Sequence, residues 1–161
     1  MTLGFELMAV DPDAGTIEVA FTATDRFLNP IGGVQGGFLA AMLDETLGPA
    51  LVATLGPDEF APTTDLHVQF LRPARPGRLI GHGRIVRRGR DVGFLAGELT
   101  DEQGAIIAVA TATAQIRRTD ARLDAIPFSQ IALELEIIRQ PTVGRLRQPQ
   151  GPLRYHRCGS W

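Results

Sequence analysis

Apolar and polar residues alternate with a period of two in several stretches of the chain. Over Thr16–Ala23, Ile17, Val19 and Phe21 fall on one side and Thr16, Glu18 and Thr22 on the other, the pattern of a strand with one dry and one wetter face. Residues 5–10 read as a partner strand, joined to it through a turn carrying Pro12, Asp13 and Gly15. Residues 63–71 alternate too, with Thr64, Leu66, Val68 and Phe70 opposed to Asp65, His67 and Gln69. Pro73, Pro76 and Gly77 end that run, and three more strands are expected at 79–88, 92–100 and 105–116. Short turns at 88–91 and 101–104 suit hairpins between them.

One stretch breaks the alternation. From Gly37 to Leu47 the only charged residues are Asp44 and Glu45, while Phe38, Leu39, Ala40, Ala41, Met42, Leu43 and Leu47 cover every direction of a 3.6-residue turn, as in a helix buried within a domain. Pro49 cannot donate a backbone hydrogen bond, so the helix is expected to kink or restart there, with 50–55 as a last piece. The order is two strands, a helix, then four strands. Small residues recur in the strands (Gly81, Gly83, Ala96, Gly97, Ala108, Ala110, Ala112, Ala114) and would let a helix lie close to a sheet. The expectation is an α+β domain, a curved antiparallel sheet of about six strands around one central helix.

After Ile116 the pattern changes. Residues 117–140 form an extension in which Phe128, Ile131, Leu135 and Ile138 mark a short amphipathic helix over 128–139. Residues 141–161 carry Pro141, Pro149, Pro152 and four arginines without an apolar period, and read as a poorly ordered tail. The domain is therefore placed at 1–116.

Composition narrows the function. With 161 residues, 44% of them hydrophobic, the chain has room for one core. A net charge of -2 argues against a nucleic-acid partner. No apolar run approaches the ~20 residues of a membrane span, and the N-terminus lacks the pattern of a signal peptide, so the expected location is the cytoplasm. A single cysteine, Cys158, leaves no internal disulfide, and His67, His82 and His156 are in no ligand spacing. No metal or cofactor is expected.

Chemistry concentrates at the front of the helix. Gly32, Gly33, Gly36 and Gly37 let the backbone approach another group. The first amides of a helix are unpaired donors at the positive end of its dipole, suited to a carbonyl oxygen that gains negative charge. Asp44, eight residues after Gly36, lies ~12 Å from it along one helix. One carbonyl cannot touch both. If both act on one substrate, Asp44 must come from a two-fold related copy with an antiparallel helix, which predicts a dimer with two interface sites.

Residues 5–116 resemble the hotdog-fold acyl-CoA thioesterases, in particular the phenylacetate-degradation (PaaI-like) type. The resemblance is carried by Asn29, by Gln35-Gly36-Gly37 where that family usually has His-Gly-Gly, by Asp44, Gly48, and the strand end from Thr63 to Ala74. It implies that the Gly36 N–H polarises the thioester carbonyl and that Asp44 of the facing subunit is nucleophile or general base. Asn29 would hold the water or thioester, Gln35 would keep the positioning but not the proton transfer of the family histidine, and Thr63 would sit near the water path, with Thr64 as its competitor. Gly37 and Phe38 would line the substrate. Arg72, Arg75, Arg88 and Arg90 are candidates for the CoA phosphates. The family further implies homodimers that pair into homotetramers. A hotdog dehydratase or hydratase fits less well, since those chemistries resemble a histidine and acid near the helix and no histidine lies between Met1 and Thr64. The alternatives outside catalysis are an acyl-CoA or lipid-binding hotdog module and a purely structural dimerisation domain.

Overall fold

The structure is a computed structural model that describes residues 2–118. Six strands form one antiparallel sheet: β1 (Glu6–Asp11), β2 (Thr16–Ala23), β4 (Thr63–Phe70), β5 (Gly77–Arg88), β6 (Val92–Asp101) and β7 (Ile106–Gln115), in the spatial order β1-β2-β5-β6-β7-β4. The helix α1 (Gly36–Val52) touches five of the six, from β2 to β4, as a sheet curved around it requires. This is the hotdog arrangement expected from the sequence.

The helix buries Leu39, Met42, Leu43, Thr46, Leu47, Ala50 and Leu51, and the inward residues of the sheet meet them: Ile17, Val19 and Phe21 from β2, Leu95 and Leu99 from β6, and Ala108, Ala110, Ala112 and Ala114 from β7. Close approach is built into the sequence where the helix crosses β5 and β6. A Cβ on Gly83 would stand 2.9 Å from the Thr46 carbonyl oxygen, one on Gly97 would stand 2.9 Å from Leu47 Cδ2, and one on Gly81 would overlap the Thr46 hydroxyl. Thr46 itself is fully buried and returns its hydroxyl proton to the Met42 carbonyl at 2.7 Å, which satisfies the polar group inside the core. Ala96 differs from the other small residues, since it sits in register between Arg84 and Thr111 on the outer face of the sheet.

Two expectations are corrected and one feature is added. The helix does not restart at Pro49: one element runs to Val52, and 53–55 continue as turns. Pro49 lies in the last turn, so the one N–H it removes from the ladder is lost near the helix end, and Gly48 before it has no Cβ to crowd the ring. Strand β4 carries an irregularity between Thr63 and Asp65, pairing Thr63 with Ala114 and Leu66 with Ala112. The extra residue puts Thr63, not Thr64, on the helix side with Leu66 and Val68, and Thr64 is exposed, donating to the Thr113 carbonyl. Finally, two-residue strands too short to show alternation, β3 (Glu59–Phe60) and β8 (Arg117–Arg118), pair with each other. The expected helix at 128–139 and the tail at 141–161 lie outside the described residues.

Candidate active site

The loop in front of α1 is held by its own hydrogen bonds. Asn29 N–H donates to the Gly33 carbonyl at 2.8 Å, Gly32 N–H donates to the Asn29 carbonyl at 3.0 Å, and Asn29 Oδ1 accepts from the Ile31 and Gly33 amides, both at 3.1 Å. Gly32 takes φ +84°, which a side chain would strain. The loop is tied to the body by Val34 N–H to the Ala74 carbonyl (2.9 Å) and Gln35 N–H to the Phe27 carbonyl (2.7 Å). Asn29 thus organises the turn through its oxygen, and only Nδ2 is left to reach outward.

Gln35 is the N-cap of α1, in extended backbone, and its exposed side chain makes no capping bond. Its carbonyl accepts from Phe38 N–H at 2.9 Å and, weakly, from Leu39 N–H at 3.4 Å. The Gly36 and Gly37 amides donate to nothing among the described residues, so two donors stand free at the positive end of a 17-residue helix. Gly37 is exposed with open space around it, whereas Phe38 is half-buried and stacked on Phe27, ring centroids 4.2 Å apart. Leu39, Met42 and Leu43 are core residues.

Strand β4 runs beside this half of the helix in the opposite direction, so each end of the strand meets a different part of the site. At one end, Thr63 Oγ1 donates to Asp44 Oδ1 at 2.8 Å, both residues half-buried. The bulge makes this bond possible by turning Thr63 inward. At the other end the Phe70 ring lies over Gly36, with Cζ 3.1 Å and Cε2 3.4 Å from the place where a Cβ would stand. Phe70 was not singled out from the sequence. Its signal there was an aromatic in phase with Leu66 and Val68, at the strand end.

The arginines separate into two groups. Arg72 and Arg75 flank Ala74, whose carbonyl holds Val34, and so lie at the N-terminal end of α1. Arg72 Nη1 donates to the Ile106 carbonyl at 3.1 Å. Arg75 lines a cavity of about 320 Å³ with Pro73, Arg78, Asp101 and Glu102. Arg88 is at the far end of the helix, donating to the Thr54 carbonyl (2.7 Å) and Glu59 (3.0 Å), while Arg90 is exposed beside Asp91. Within one chain Arg88 fastens the turn after α1, and it cannot share a phosphate with Arg72. This division leaves no mark in the residue pattern, because the arginines are neighbours only along the chain.

Among the described residues one α-helix lies against a six-stranded antiparallel sheet, with a glycine-rich loop opening the helix and an aspartate midway along it, which is a hotdog body. The chain belongs to the thioesterase superfamily, whose family model matches residues 32–108. It is similar in structure to a phenylacetic acid degradation-related protein from Ralstonia eutropha JMP134, with 47% identity, a TM-score of 0.69, and coverage of 71% of this chain and 86% of that one. The BH2602 protein of Bacillus halodurans, solved with CoA, is 25% identical with a TM-score of 0.60, over 62% of this chain and 66% of that one. The E. coli PaaI protein from the phenylacetic acid degradation operon shares the fold at 22% identity and a TM-score of 0.66, over 74% and 82%. No match was found among curated proteins. No helix among the described residues is long and apolar enough to cross a membrane.

Proposed function

We propose that the protein hydrolyses an acyl-CoA thioester to the free acid and CoA, in a site that two copies of the chain share. The observation that carries this reading is the pairing along β4: a carboxylate held by Thr63 at one end and free helix-start amides at the other, on the same strip of surface. The thioester oxygen would accept from Gly36 N–H, and losing such a donor typically costs ~2.7–4 kcal/mol of transition-state stabilisation. With Oδ1 of Asp44 engaged by Thr63, Oδ2 is left to act. As general base it takes a proton from water, whose oxygen adds to the carbonyl carbon. As nucleophile it adds to that carbon itself, and water cleaves the resulting anhydride. In both routes the tetrahedral oxyanion collapses, the C–S bond breaks, and the sulfur leaves as thiolate and takes up a proton.

The sharing follows from distance. Gly36 and Asp44 are ~12 Å apart along α1, so the aspartate for this Gly36 comes from a partner. Strand β4 is an edge of the sheet, pairing only with β7 among the described residues, and carries no proline that would bar a further strand. Two copies joined there about a two-fold axis would set their helices antiparallel, with the axis near Ala40, halfway between the two residues. Small residues on the outward side, Gly37, Ala41 and Gly48, leave room for that approach. A homodimer, pairing further to a homotetramer, and a cytoplasmic location complete the reading. The CoA seen with the Bacillus halodurans neighbour supports CoA as the leaving group, with Arg72 and Arg75 at the mouth nearest Gly36 and, across the dimer, Arg88 and Arg90 of the second copy.

Thiol release from a panel of acyl-CoAs, compared with Asp44→Asn, tests the proposal. Release by the native chain that the variant loses is expected. Acyl-CoA binding with no release by either chain would move the protein to the binding modules.

A further inference from the structure

Within one chain the Phe70 ring is only partly packed. It is 53% exposed although it stands on the inward-facing register of β4, opposite Ala108. Its neighbour is the backbone of Gly36, which it approaches so closely that an added methyl there would be only 3.1 Å from Cζ. Gly36 N–H is unpaired and Asp44 is beyond reach along the helix, so a carbonyl that accepts from Gly36 comes to a residue whose other neighbour is this ring. An aromatic face there is a wall: it excludes water on that side and limits what the carbon next to the carbonyl can carry.

We infer that Phe70 is the specificity residue for the acyl group, selecting thioesters whose carbon next to the carbonyl is unbranched. The inference rests on Gly36 being the donor to the thioester, and extends that reading to the class of acyl group accepted. A straight chain leaves the carbonyl through a CH2, which can turn its two hydrogens toward the ring. A branch at that carbon directs a methyl into the ring or forces the oxygen away from the amide. One methylene against a fixed apolar wall is worth on the order of tenfold or more in kcat/KM.

The test compares butyryl-CoA with isobutyryl-CoA as a ratio of kcat/KM, for the native chain, Phe70→Leu and Phe70→Ala. The native ratio is expected to favour butyryl-CoA by about tenfold or more. It should shrink in Phe70→Leu and approach unity in Phe70→Ala, through a gain on the branched substrate. A general weakening of the fold would slow both substrates alike and leave the ratio unchanged, and that result, with thiol still released, would overturn the role of Phe70 while leaving the thioesterase reading intact. Absence of thiol release from every chain and both substrates would overturn the two together. Because Phe70 is half exposed, the leucine variant is expected to fold, and thermal melting of each chain confirms it.

Discussion

Thr63→Val removes a hydroxyl and keeps the branched shape, so it isolates the bond to Asp44. Hydrogen bonds to charged groups contribute about 1.5–3 kcal/mol. Both residues are half-buried, and water can replace part of the bond, which places this one at the lower end, near ~1.5 kcal/mol. If the bond fixes the carboxylate for reaction, its loss is expressed as a fall in kcat of about tenfold. Stability should change by less than ~1 kcal/mol, because valine keeps the strand geometry and solvent can reach the aspartate. Thr63→Ser retains the donor and should stay within about twofold of native, which separates the hydroxyl from the packing. Steady-state thiol release and thermal melting on the same preparations decide the matter. An unchanged kcat in Thr63→Val, or a serine variant as slow as the valine one, refutes the reasoning.

Two further expectations concern the body of the protein. Gly83→Ala sets a methyl 2.9 Å from both the Thr46 carbonyl oxygen and Ile17 Cγ2; neither can yield without moving helix or strand, so the variant should lose about 1–3 kcal/mol in denaturant titration, and equal or greater stability would contradict the close helix approach. The hydrogen bond and charge of Arg78 beside Glu6 hold the Glu6 carboxyl below its ordinary value. Its contribution is complete above the ordinary carboxylate range and is lost as pH falls through the lowered value. Glu6→Gln should therefore cost a little melting temperature at neutral pH, less in high salt, and nothing at strongly acid pH; the pair is exposed and the effect is small.

The sequence carried what depends on side-chain period. Ile17, Val19 and Phe21 alternate because β2 packs one face on the helix, and the glycines of β5 and β6 announced that the helix lies close. Gly36 and Asp44 were legible as a pair too far apart for one carbonyl, because a helix has a fixed rise. What escaped notice are properties of the backbone and of three-dimensional neighbours. The irregularity in β4 exchanges Thr64 for Thr63 without leaving a mark in the alternation of the residues that follow. Asn29 uses its side-chain oxygen to close the loop, which its type permits but does not announce. Arg72 and Arg88, sixteen positions apart, are carried to opposite ends of the helix by the run of β5. Phe70 looked like one more core residue of an alternating strand until the strand was seen to be an edge.

The shared site is tested most directly by mixing two inactive chains. Gly36→Pro deletes the donor at the first helical position, where the backbone tolerates proline and the half-exposed Phe70 ring has to shift by a few tenths of an ångström to admit the added Cβ, and Asp44→Asn deletes the reacting carboxylate; each alone should release almost no thiol. In a mixed dimer one site combines the intact Gly36 of one chain with the intact Asp44 of the other, and the second site carries both defects. Equal co-expression makes half of the dimers mixed, so about a quarter of the native activity should return. No recovery from mixed dimers, isolated by two different affinity tags, would contradict the account and put Gly36 and Asp44 to work within a single chain or not at all.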